Sequence, residues 1–133
     1  MSVKSCSLDT NCIVSLLISG REAQRQVVER AIRNHQEVVV ADQVFIELEY
    51  VLNYPGTLIR EKIADAIKAI LNLSEITCSR ALLRSVLPIY VNHHALSFTD
   101  IYLAKKASLD DVMPLLTFDK KLANQMPEVK IPA

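Results

Sequence analysis

The sequence has 133 residues, of which 50% are hydrophobic and 23% charged, and its 15 basic residues balance its 15 acidic ones. These values indicate one globular domain with a sizeable core, and they exclude a disordered chain and a strongly basic nucleic-acid binder. No apolar run is long enough to span a bilayer, and the sequence before Asp9 lacks the apolar core of a signal peptide. Three cysteines, Cys6, Cys12 and Cys78, are odd in number and form no CxxC pair, which indicates reduced thiols. We therefore expect a cytoplasmic protein without membrane contact.

Short β-branched strands alternate with helical patterns along the chain, with no repeat or linker between them. Strands are predicted at 3–8, 37–41, 75–78, 113–117 and 128–131. Helices are predicted at 10–18, 22–34, 42–52, 57–72, 79–92, 98–108 and directly after Asp119. Pro88 is expected to kink or split the fifth helix. This alternation predicts a single α/β domain over residues 1–133, with a mostly parallel sheet and helices on both faces.

Acidic residues follow two of the predicted strands. Asp9 ends the first strand and Asp119 follows the fourth, and each stands directly before a helix. Since ligands of such sheets bind at the carboxyl ends of the strands, the two side chains would face each other if their strands are neighbours. Glu47, at the border of an apolar helix face, and Asp100, at the start of the sixth helix, are the other candidates.

Each of these acids also has a simpler structural interpretation. Asp9 and Asp119 are good helix N-caps, and Asp100 would complete a capping box with Ser97. Glu47 would be a boundary residue of an amphipathic helix.

Taken together, the four acids indicate a site for a bound cation. Carboxylates gathered in one cleft repel one another and raise one another's pKa, which a bound cation relieves. Oxygen ligands with no thiolate or imidazole nearby favour Mg²⁺ or Mn²⁺. Such an ion makes hydroxide available and neutralises charge during phosphodiester hydrolysis.

Four segments, taken in their order, resemble the motifs of the PIN-domain ribonucleases. They are "LDTN" at 8–11, "VFIELEYVL", "FTDIYLAKKA" and "LLTFDKKL". The resemblance covers nearly the whole chain, and within the family the sequence looks like the toxin subunits of the VapBC type. It implies a three-layer α/β/α fold with a central five-stranded, mostly parallel sheet and the acids at its carboxyl edge. A glycine that many relatives have before the fourth strand is absent from "SLDDVM".

The resemblance also implies a site. Matched residue by residue, the first and third family acids are Asp9 and Asp100, which would be the principal metal ligands. Glu47 and Asp119 match the second and fourth, and they would bind a second metal or position the attacking water. The family's polar positions beside the first and last acids match Thr10, Asn11 and Thr117. Of these supporting residues, Asn11 and Thr117 would orient the carboxylates or touch the scissile phosphate.

The implied activity is that of a Mg²⁺- or Mn²⁺-dependent endoribonuclease leaving 5′-phosphate and 3′-hydroxyl ends. The implied partners are an RNA substrate, a small antitoxin that blocks the cleft, and a second copy in a homodimer. The amphipathic helices at 22–34 and 57–72 are candidate surfaces for such partners, and core packing explains them equally well. RNA contact would rest on local basic residues, which are Arg21, Arg25, Lys105, Lys120 and Lys121.

Two other classes stay open. A receiver-type phosphoacceptor module also places acids at strand ends and binds magnesium. Against it, the chain lacks a second acid beside the end of the first strand and a lysine at the end of the last one. The other class is a catalytically silent PIN-like interaction domain, which the retention of four acids disfavours.

Overall fold

The computed structural model describes residues 3–133, with side chains from residue 4 onward. Five strands and seven helices occur in this range and alternate as predicted. The strands are β1 (Val3–Ser7), β2 (His35–Val39), β3 (Ile76–Thr77), β4 (Leu115–Leu116) and β5 (Val129–Lys130). The helices are α1 (Thr10–Leu17), α2 (Glu22–Asn34), α3 (Asp42–Asn53), α4 (Arg60–Leu71), α5 (Arg80–Asn92), α6 (Phe98–Leu109) and α7 (Lys120–Gln125).

All strand pairs are parallel, as expected, but they form two separate sheets. One has the order β1-β2-β3, and the other pairs β4 with β5. The predicted five-stranded central sheet is therefore not found over residues 3–133. The physical reason lies in strand length: β3, β4 and β5 have two residues each. Because alternate residues of a strand hydrogen-bond to opposite neighbours, a two-residue strand offers a single residue to each side and can hold two partners only weakly.

The chain divides into two compact units, with the boundary between Arg80 and Ala81. The first unit contains β1 to β3 and α1 to α4, and the second contains residues 81–92 of α5 together with all later elements. That residues 1–133 form a single domain stays a prediction.

In the first unit, α1 packs on α2 and α3, and α3 packs on α4. The core is aliphatic apart from Phe45, and its fully buried members include Ile13, Val38, Leu48 and Ile63. Burial of such side chains contributes about 1.5–3 kcal/mol each, so this core holds the β1–α1 junction rigidly.

The two candidate partner helices differ in burial. Ile63, Ile67 and Ile70 of α4 are buried, so core packing accounts for the apolar face of this helix. Helix α2 buries only Val28 fully, whereas Val27 is 60% exposed.

The core of the second unit centres on two aromatic rings. Tyr90 and Phe98 meet edge to face at 5.5 Å between centroids, and both are fully buried. Pro88 lies inside α5 without dividing it, so the expected split does not occur. Buried Leu87 and Tyr90 on either side anchor the helix there, and this packing compensates for the hydrogen bond that proline cannot donate.

The turn after α6 explains how the loop "SLDDVM" does without a glycine. Asp111 adopts a left-handed backbone conformation, with φ at 57°. Aspartate tolerates this conformation better than most residues, because its short side chain bonds locally. Asp110 caps the helix and pairs with Lys106 at 3.2 Å. The two acids of this loop are thus accounted for by local structure.

Two further findings concern the described range as a whole. Within residues 3–133, Cys6, Cys12 and Cys78 form no disulfide. No helix of the described chain is both long enough and apolar enough to cross a bilayer.

Candidate nuclease site

Asp9 stands between β1 and α1 and begins the helix. Its backbone is extended, and its Oδ1 accepts a hydrogen bond from the Cys12 backbone N–H at 3.0 Å. The N-cap interpretation is therefore confirmed. This bond, with further hydrogen bonds from Cys12 and Asn11, lowers the pKa of Asp9 below its ordinary value. The expectation that crowded acids raise one another's pKa is wrong for Asp9, because backbone N–H groups at the helix start stabilise its charge.

Thr10 connects Asp9 to the next candidate acid. Its Oγ1 donates to Glu47 Oε2 at 2.5 Å. The two residues are 37 positions apart in sequence, so this bond fixes the start of α1 against the middle of α3. Glu47 is exposed, and its carboxylate has a defined polar partner. Thr10 thus holds the Glu47 carboxylate in place.

Cys12 brings a thiol close to Asp9, which the sequence argument did not anticipate. Burial raises the pKa of this thiol, and the neighbouring Asp9 carboxylate adds to the effect. Cys12 is therefore a neutral thiol at physiological pH, a weak donor toward the carboxylate and a poor metal ligand.

Asp9 and Asn11 border an open groove between α1 and α2. The part next to Asp9 has a volume of about 450 Å³, and Cys12 and Ser15 line its α1 wall. Ala23, Gln24, Val27 and Val28 line the α2 wall. Unit 1 thus presents an ionised carboxylate at the mouth of a cleft.

In the second unit, Asp100 occupies the first turn of α6. Ser97 is the N-cap, and its side chain accepts from the Asp100 backbone N–H at 3.1 Å. The half of the predicted capping box in which the Ser97 hydroxyl accepts from a backbone N–H is therefore confirmed. The donor is the backbone of Asp100, and its carboxylate takes no part in this bond. Within residues 3–133 the carboxylate of Asp100 makes no hydrogen bond or ion pair, so its oxygens remain available.

Asp119 is fixed by both of its neighbours. Its Oδ1 accepts from the backbone N–H groups of Lys121 at 2.9 Å and Leu122 at 3.1 Å, which makes it the N-cap of α7. Thr117 Oγ1 accepts from the Asp119 backbone N–H at 3.0 Å. The structure thus gives Thr117 a positioning contact with the backbone of Asp119.

Two of the five basic residues expected to bind RNA are engaged within the protein. Arg25 donates to the carbonyl oxygens of Ser15 at 3.2 Å and Ile18 at 3.3 Å, at the end of α1. Lys105 forms a 2.7 Å ion pair with Glu128. Both cations thus satisfy polar groups of the fold, and their contact with RNA stays a prediction.

The other three basic residues, Arg21, Lys120 and Lys121, are exposed. The role of Arg25 lacks a clear local signal in the sequence, because the helix end that it caps lies seven to ten residues away.

The donor chemistry of the four acids fits a hard divalent cation. Asp9 and Asp119 cap their helices through one oxygen, and a carboxylate has further lone pairs for a metal. Within each unit, however, no three described His, Cys, Asp or Glu side chains are grouped to hold an ion. The first unit supplies Asp9 and Glu47, and the second supplies Asp100 and Asp119.

The comparison with known protein families gives one match. The model of the family described as "PIN domain" matches residues 7–125. No characterised protein matches the chain at a significant level. The matched range begins two residues before Asp9 and ends after Asp119, so it contains all four candidate acids.

Proposed function

The chain belongs to the PIN domain family, and on that premise we propose that it is a Mg²⁺- or Mn²⁺-dependent endoribonuclease. PIN domains are generally nucleases, and those nucleases typically use divalent metals. The products would be RNA fragments with 5′-phosphate and 3′-hydroxyl ends. The observation that best supports the proposal is the Thr10–Glu47 hydrogen bond, since it joins two candidate site segments that are distant in sequence.

In this proposal Asp9 and Asp100 are the principal metal ligands. The bound cation would supply an activated water and neutralise charge at the scissile phosphate. Asp9 is suited to the role because its lowered pKa keeps it ionised well below neutral pH. Asp100 is suited to it because no internal hydrogen bond of the described chain competes for its oxygens.

The remaining site residues would orient these ligands and the substrate. Glu47, held by Thr10, and Asp119, held by the backbone of α7, would bind a second ion or position the attacking water. Thr117 would support Asp119 from the preceding turn. Asn11, exposed beside Asp9, would contact the scissile phosphate or a carboxylate.

We also propose a biological setting from the resemblance to VapBC toxins. The protein would be a cytoplasmic toxin that forms a homodimer and is silenced by a small antitoxin.

One observation favours a second candidate, a catalytically silent PIN-like domain. In neither unit do the described side chains form a three-ligand metal group. A silent domain would bind nucleic acid or protein without cleaving it. Metal dependence of cleavage separates the two candidates.

The test is cleavage of total cellular RNA by the purified protein with Mn²⁺, with Mg²⁺ and with EDTA. The same reactions are run with Asp9→Asn and with Asp65→Asn, an exposed acid of α4 that serves as a charge-matched control. We expect discrete metal-dependent cuts with 5′-phosphate ends, which Asp9→Asn loses and Asp65→Asn retains.

Other outcomes count against the proposal in distinct ways. Equal cleavage by Asp9→Asn would mean that Asp9 is not a ligand. Cleavage that persists in EDTA would exclude the metal-dependent reaction. Absence of cleavage with both metals and several RNA pools would favour the silent domain.

A further inference from the structure

A second cavity of the first unit lies at the end of α1 that is far from Asp9. It has a volume of about 370 Å³ and is bounded by α1, α2, the end of α4 and the turn that follows α4. Asp9 caps the start of α1, whereas the cavity contacts the last two residues of that helix, Leu16 and Leu17. The four candidate acids are not among the residues that line it. We call this separate cavity the α1–α4 pocket.

The walls of the α1–α4 pocket are aliphatic. Most of the wall side chains are half-buried, so part of their apolar surface still faces the cavity. An apolar group that fills the cavity would remove this surface from water. A volume of about 370 Å³ is near the lower end of the usual range for ligand pockets, about 300–1,000 Å³, which suits a ligand the size of an amino acid. The wall residues are Leu16, Leu17, Ile32, Ala69, Ile70 and Leu73.

Three charged residues also line the pocket, and two of them lack an internal partner. Glu29 and Arg33 stand one turn apart on α2, a spacing at which glutamate and arginine commonly form an ion pair. Within residues 3–133, however, no ion pair joins them, and neither side chain makes a hydrogen bond. The third charge, Glu75, accepts from the Ser74 hydroxyl at 3.1 Å through Oε1. The pocket therefore offers both an unpaired guanidinium and an unpaired carboxylate beside an apolar cavity.

We propose that the α1–α4 pocket binds an α-amino acid with an apolar side chain. Such a ligand carries an ammonium, a carboxylate and an apolar group on one carbon atom, and the pocket has a matching group for each. The ligand side chain lies between the aliphatic walls, and Arg33 binds its carboxylate through the planar guanidinium. Glu29 and Glu75 bind its ammonium. A purely anionic ligand is disfavoured, because two acids and only one base line the pocket.

Four probes separate the parts of the ligand. L-Leucine has all three groups, leucinamide lacks the carboxylate, isocaproate lacks the ammonium, and L-alanine lacks the large apolar side chain. Each probe is titrated into protein with labelled Ile, Leu and Val methyl groups, and binding is followed by NMR. We expect L-leucine to shift the methyl signals of Leu17, Ile32 and Ile70, and to leave that of Leu58, which is exposed outside the pocket, unchanged. The other three probes should bind at least roughly 5-fold more weakly, a modest factor because the charged groups are open to solvent.

Paired variants assign each ligand charge to a residue. Arg33→Gln should weaken L-leucine binding by roughly 5-fold and leave leucinamide binding unchanged, because leucinamide has no carboxylate to lose a partner. Glu29→Gln should weaken L-leucine binding and leave isocaproate binding unchanged for the corresponding reason. Arg30→Gln and Glu61→Gln are the controls; both residues are exposed, on α2 and α4, and do not line the pocket. They should bind all probes as the wild type does.

Three outcomes would overturn the inference, and none depends on nuclease activity. The first is L-leucine at roughly 10 mM that shifts no wall methyl, which would mean no binding in the useful millimolar range. The second is equal binding of L-leucine, leucinamide and isocaproate, which would show that the rim charges do not recognise the ligand. The third is L-leucine binding that survives in Ala69→Leu, because a larger side chain at this exposed wall position should fill the pocket without disturbing the core.

Discussion

Removing the Thr10 hydroxyl should destabilise the first unit, because Thr10 donates to Glu47 at 2.5 Å and thereby joins α1 to α3. A hydrogen bond to a charged acceptor contributes about 1.5–3 kcal/mol, and the exposure of Glu47 reduces this to about 1 kcal/mol. Unfolding entropy near 2.1 cal/mol/K per residue converts that loss into roughly 3–4 °C for a chain of this length. Thr10→Val, which preserves shape, should therefore lower the melting temperature by that amount.

A double-mutant cycle isolates the bond from other effects of each substitution. Thr10→Val, Glu47→Ala and the double variant are unfolded in urea, with Thr10→Ser as the control that keeps the hydroxyl. We expect a coupling free energy of about 1 kcal/mol that Thr10→Ser largely retains. Additivity of the two substitutions within about 0.3 kcal/mol would refute the bond as a structural link between α1 and α3.

Three further predictions concern single contacts. Arg25→Ala should cost about 1 kcal/mol in urea unfolding, since two carbonyl oxygens at the end of α1 lose their donor, whereas Arg30→Ala should change stability by less than about 0.5 kcal/mol. Phe98→Ala should cost about 3–5 kcal/mol by the same assay, through the cavity and the lost edge-to-face contact with Tyr90; a cost below 1 kcal/mol would contradict this packing. The pKa of Asp9 is lower in the folded state than its ordinary value of 3.8. The ionised carboxylate therefore stabilises the fold above pH 3.8, and this contribution is lost as the pH falls through the lower pKa of the folded state. The stability difference between wild type and Asp9→Asn should therefore shrink as pH is lowered below about 4, and a constant difference from pH 6 to pH 2 would be inconsistent with the lowered pKa.

Local signals in the sequence predict the elements well. The α2 helix has the predicted bounds of 22–34, and Asp9, Ser97 and Asp119 cap their helices as their positions suggest. These features depend on interactions between residues at most a few positions apart. The predicted fourth helix begins at 60 rather than 57, because the apolar residues before it are exposed and outside the helix.

Contacts between residues that are far apart in sequence cannot be predicted from such local signals. The Thr10–Glu47 bond and the Lys105–Glu128 pair each join elements whose relative placement depends on the tertiary packing. The number of strands is predicted from the sequence, because β-branched runs indicate strands. Their grouping into two sheets is not, because the pairing of strands depends on strand length and on which strands become neighbours in the fold.

The groove between α1 and α2 is a further feature that the sequence does not reveal. Asn11 and Gln24 carry no distinguishing signal in the sequence, and only the packing of α1 against α2 places them in one groove with Asp9.

Calorimetric titration with Mn²⁺ tests most directly whether the candidate acids bind a divalent cation. Wild type, Asp9→Asn, Asp100→Asn and the control Asp65→Asn are titrated under identical conditions. We expect Asp9→Asn and Asp100→Asn each to abolish the binding that wild type and Asp65→Asn share. Mn²⁺ binding that survives unchanged in either variant would contradict the assignment of that acid as a metal ligand.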